Sequence, residues 1–112
     1  GFAVALTDTS INLVHSVIWD IPASVSALSE DIAKVAEPSE PAGSKQSLAF
    51  DGATRGYLGP CPPSLHHYRV TVFAVGEYPL SGVTLDSSAD QVKTVLLDDA
   101  LVTAWLSADY GG

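Results

Sequence analysis

The chain has 112 residues, 46% of them hydrophobic and 16% charged, with five Lys and Arg against thirteen Asp and Glu for a formal charge of −8. That length and apolar content suit one folded domain and exclude a disordered chain. The acidic balance argues against nucleic acid or an anionic membrane surface as partner, while leaving room for a local site that holds a single anion. No apolar run reaches the roughly 18 residues of a membrane-spanning helix.

In chain order, Phe2 to Thr7 (FAVALT) and Val14 to Ile21 (VHSVIWDI) read as neighbouring buried strands joined by a tight connection, and Pro22 ends the second. Spacing around Leu28, Ile32 and Val35 predicts a helix within residues 23 to 37. Residues 37 to 45 (EPSEPAGSK) form a loop, and residues 47 to 63 an ordered but irregular excursion of the kind that carries function. Tyr68 to Val75 is the clearest strand. Asp86 or Ser87 is expected to cap a helix running to about Leu97, with Val92, Val95 and Leu96 as its apolar stripe. Ala100 to Tyr110 is expected to return as a strand, or as a short helix and then a strand. Trp19 and Trp105 both sit in apolar strand patterns and are expected in or near the core.

The stretch from Tyr57 to Phe73, YLGPCPPSLHHYRVTVF, carries the chemistry. Glycine allows a ligand close to the backbone, and proline holds the loop in shape before anything binds. His66, His67 and Tyr68 follow at the edge of the strand. Successive strand side chains alternate in direction, so His66 and Tyr68 share a face and His67 points away. A metal site is not expected, because adjacent strand histidines diverge and Cys61 is the sole cysteine. No cofactor is expected either. Cys61, between prolines, reads as a structural thiol and not as a nucleophile. A lone cysteine forms no internal disulfide, so the protein is expected to be either cytoplasmic or exported.

The runs GPCPPSLHHYRVTVFAV, HSVIWDIPAS and AWLSADYGG together resemble the phosphatidylethanolamine-binding protein family, which includes the bacterial and archaeal Raf kinase inhibitor-like proteins. In that family a tyrosine and a glycine precede a proline loop, and H-R-Y then opens a strand. Here Tyr57, Gly59, Pro62, Pro63, His66 and Tyr68 match, and His15 with Val17 to Ala23 match an upstream strand. The resemblance implies a mainly β, sandwich-like fold with Greek-key features and one or two short helices, spanning residues 1–112 as one domain that lacks the family's N-terminal strands. With no methionine and a strand at its first residues, the chain is read as preceded by further residues. A sheet edge is expected to stand open.

The resemblance further implies a small pocket for an anion or phosphorylated headgroup, lined by Asp8, His15, Tyr57, Gly59, Cys61, Pro62, Pro63, His66 and Tyr68. An aspartate beside an imidazole favours its protonated, donor form, and histidine, tyrosine and backbone N–H groups can then hold oxyanions. The family's D-P-D-A-P loop is reduced here to Asp8, Thr9 and Ser10, and Leu13 stands where members often place tryptophan. One wall of the pocket is therefore expected to be short. The function expected is non-catalytic binding. The alternatives are an interaction or inhibitor scaffold with a degenerate pocket, engaging a protein partner or a second copy, and a hydrolase using His15 or His66 as general base.

Overall fold

The computed structural model describes residues 1–111. Strands β1 (Phe2–Asp8), β2 (Leu13–Ile21), β3 (Lys45–Gln46), β4 (His66–Val75) and β5 (Ala100–Tyr110) form one antiparallel sheet, and α1 (Ala89–Asp99) is the helix. The strand order is β3-β2-β1-β4-β5. Three consecutive strands lie side by side and the fourth returns next to the first, which is the Greek-key arrangement.

One face of the sheet carries the core. In β1 the burial alternates, with Ala3, Ala5 and Thr7 turned inward. They join Val17, Trp19 and Phe73 beneath Val92 and Leu96 of α1. Small residues in the central strand let the helix approach closely, and Trp19 (1% exposed) and Phe73 (0%) fill the remaining volume. The opposite face carries Val4 and Leu6 of β1, paired in register with Val72 and Val70 of β4, which pair in turn with Ala104 and Leu106 of β5. Val70, Val72 and Leu106 are exposed there.

Residues 23–37 are not helical. Their spacing suited a helix, but Val25 N–H closes a turn onto the Pro22 carbonyl and Asp31 takes a left-handed φ of 57°. Gln46 then claims the carbonyls of Ala33 and Val35 through its Nε2, at 2.8 and 2.9 Å. Tertiary bonds thus take the acceptors that a helix would use. The cap of α1 also differs from expectation. Ser88, not Asp86 or Ser87, is the N-cap, and Gln91 completes a capping box with it.

Trp105 is a larger departure, since it is 58% exposed. Strand β5 lies at the sheet edge and nothing among the described residues covers it, so its apolar alternation does not translate into burial. The Trp105 ring instead lies under the Arg69 guanidinium, whose Cζ is 4.1 Å from its centroid. Gly112, the last residue of the family-like ending, lies outside the described residues.

Candidate functional site

The site forms where the C-terminal end of β1 meets the N-terminal end of β4. Asp8 and Tyr68 are register partners on these antiparallel strands. His66 follows two residues before Tyr68 on the same face. Its Nδ1 donates to Asp8 Oδ2 at 2.6 Å, across 58 positions of sequence. A carboxylate can only accept, so this bond places the proton on Nδ1 and leaves Nε2 for a ligand. Asp8 Oδ1 accepts from the Ser10 backbone N–H at 3.0 Å, which folds the short Thr9–Asn12 turn back onto the acid.

Asp8 is only 2% exposed. Burial opposes its ionisation, but the His66 hydrogen bond, the Ser10 N–H and the His66 charge outweigh burial and hold the carboxyl below its ordinary value. Tyr68 shifts in the other sense. Burial raises its phenol, and the neighbouring Asp8 charge raises it further, so Tyr68 remains a neutral O–H donor.

His15 arrives from β2, with its ring edge-on to Tyr68 at 5.6 Å between centroids. Its Nδ1 faces the Leu58 carbonyl at 3.3 Å, which ties the proline loop to the sheet. Phe50 packs on the other side of the imidazole, with centroids 4.5 Å apart. The structure therefore brings Asp8, His15, His66 and Tyr68 together. His67 turns to the opposite face, is exposed, and bonds to Asp109.

The loop residues divide. Tyr57, Pro60, Tyr68, Val70, Leu106 and Tyr110 share a shallow cavity of about 220 Å³, and the Tyr57 hydroxyl hangs beside Gly59. Cys61 is exposed and within electrostatic reach of the Tyr68 phenol. Pro62 is half-buried against Gly111, while Pro63 is exposed. A Cβ on Gly111 would stand 2.5 Å from Pro62 and 2.7 Å from the Ser64 carbonyl, so this close approach, at φ +100°, requires glycine.

Sequence reasoning missed Phe50, Leu58, Ser10 and Tyr110. Of these Ser10 and Tyr110 had a signal, because each lies in a segment that carried the family resemblance; the structure places Tyr110 opposite His66 in the β4–β5 register. A larger groove of about 310 Å³ lies further along the same face, lined by Val4, Leu6, Ile18, Leu28, Tyr57 and Val70 among others. It holds no histidine. The acid–imidazole chemistry is concentrated instead at Asp8 and His66.

The family model for phosphatidylethanolamine-binding protein matches residues 3–111. The chain belongs to the phosphatidylethanolamine-binding protein family. A UPF0098 protein of Aquifex aeolicus is 38% identical over 77 residues, covering 69% of this chain and 43% of that protein. The chain therefore spans less than half the length of that curated relative. Escherichia coli YbcL, described as a member of the mammalian family, superposes with a TM-score of 0.82 at 28% identity, over 99% of this chain and 71% of YbcL. The Chlamydia trachomatis homologue CT736 superposes with a TM-score of 0.70 at 20% identity, with the same coverages, and shares the fold. The mainly β architecture is thus that of the family. Among the described residues it consists of one five-stranded sheet and one helix. Among the described residues no helix is long and apolar enough to cross a membrane.

Proposed function

We propose that this chain is a non-catalytic binding module for a small oxyanion or phosphorylated headgroup, received by His66, Tyr68 and His15 over the buried Asp8. The observation that carries the reading is the 2.6 Å bond between His66 Nδ1 and Asp8 Oδ2. It fixes the ring, whose centroid lies 6.5 Å from that of the Tyr68 phenol, and Nε2 of the protonated imidazole can then donate to an oxyanion alongside the phenol. The net charge of −8 makes such a site selective by local geometry, since the overall field repels anions.

The test is thermal unfolding with and without phosphate, phosphoethanolamine and acetate, for the wild type and His66→Ala. Protection that is larger in the wild type than in His66→Ala supports the reading, and equal shifts in both proteins sink it. Turnover of a phosphoester that is lost in His66→Ala would move the assignment to a hydrolase, in which Asp8 orients the base.

A second reading, an interaction scaffold, is favoured by the exposed apolar face of Val70, Val72 and Leu106. It predicts no anion protection in either protein, with self-association or partner binding lost on Leu106→Asp.

A further inference from the structure

On the sheet face opposite the Asp8–His66 site, two of the five Lys and Arg residues stand near one threonine, one as its register partner and one as its hydrogen-bond donor. Thr7 and Arg69 are register partners on β1 and β4. Lys93 of α1 reaches down to donate from Nζ to Thr7 Oγ1 at 2.9 Å. We propose that Arg69, Lys93 and Thr7 form a second oxyanion site, with the Trp105 ring as its wall.

Among the described residues neither of these two charges is in an ion pair. The ion pairs of the described residues are Lys45–Asp20, His66–Asp8 and His67–Asp109, and neither Arg69 nor Lys93 takes part in one. In a chain with thirteen acidic residues, two adjacent cations left without a partner form a place where an external anion gains most. Arg69 Nε is buried and has no hydrogen-bond partner among the described residues. A buried donor in that state carries a desolvation cost that a bound acceptor relieves. Trp105 holds the guanidinium with its Cζ 4.1 Å from the ring centroid, so the fork that recognises phosphate or carboxylate is positioned in advance.

Lys93 responds to the same surroundings. Burial and the Arg69 charge lower its ammonium from the ordinary value, and Asp90 opposes them. Asp109, the other acid along this face, is occupied by His67. Two cations facing one point match a phosphate dianion better than a single carboxylate, and the two differ measurably.

The test uses ¹⁵N–¹H spectra of the full chain titrated with inorganic phosphate and, separately, acetate at constant ionic strength, following the Trp105 indole and the Arg69 and Ser107 amides. We expect saturable shifts with phosphate, retained in His66→Ala and weakened about tenfold or more in Kd by Arg69→Gln and by Lys93→Gln. Tighter saturation by acetate would keep the site and make its ligand a carboxylate. Shifts that do not saturate, that survive in Lys93→Gln, or that vanish in His66→Ala would overturn the proposal. Lys93 is only half-buried, so Lys93→Gln decides the matter even if Arg69→Gln does not fold.

Discussion

His66 Nδ1 donates to Asp8 Oδ2 at 2.6 Å, and this one bond closes β1 onto β4 at the end of the sheet where the site lies. The acid is almost wholly covered, yet it is the last residue of β1 and lies at the rim of the sheet. Solvent therefore screens part of its field.

Asp8→Asn is expected to lower stability at neutral pH by about 1–2 kcal/mol, through loss of a charge-assisted hydrogen bond. The Asp8 carboxyl is depressed in the folded protein, so its contribution is present above the unfolded value of 3.8 and is lost as pH falls through the lower folded value. Urea melts at pH 7 and near pH 3 measure this. The gap between the two proteins should shrink in acid, and a constant gap would place the effect elsewhere.

Tyr68→Phe keeps the ring that packs on His15 and removes the hydroxyl beside Asp8. Phosphate affinity by calorimetry is expected to fall about three- to tenfold, as for one lost neutral hydrogen bond. The circular dichroism spectrum should be unchanged.

Ser88→Ala should cost about 1 kcal/mol, because it removes the acceptor for Gln91 N–H and breaks the capping box. Asp86→Ala, at the position two residues earlier, should cost less than half of that. Chemical denaturation of the two variants ranks them, and the reverse order would move the cap.

Gln46→Ala frees the carbonyls of Ala33 and Val35. Faster amide exchange is expected in residues 22–36, with exchange in β1 and β4 unaffected. Unchanged exchange in that segment would show that its order does not depend on Gln46.

Leu96→Ala should destabilise by about 2–5 kcal/mol, since its side chain is fully buried beneath α1. Leu106→Ala should change stability by less than about 0.5 kcal/mol, because the residue is 75% exposed. Equal losses in a thermal melt would mean that β5 is covered in solution.

The strands were legible because alternation and β-branched content act locally. Phe2 to Thr7 and Tyr68 to Val75 became β1 and most of β4 with boundaries moved by one or two residues. The separation of His66 and Tyr68 from His67 followed from the same period of two. The segment 23–37 was misread because its spacing satisfies a helix, while the bonds that prevent one come from Gln46, a residue outside the window. Ser88 was overlooked in favour of its neighbours because any of three polar residues in a row can cap, and the deciding partner is Gln91.

The sequence by itself determined the family and the strands of the sheet, and singled out Asp8, His15, His66 and Tyr68 as candidate site residues. These follow from composition, alternation and motif, which are properties of neighbouring residues. Only the tertiary structure decided that Asp8 engages His66 while His15 engages the Leu58 carbonyl, that Trp105 lies exposed under Arg69, and that Lys93 meets Thr7. Each of these contacts joins residues far apart in the chain. Strand register and helix packing set which of them meet, and no local propensity encodes that choice.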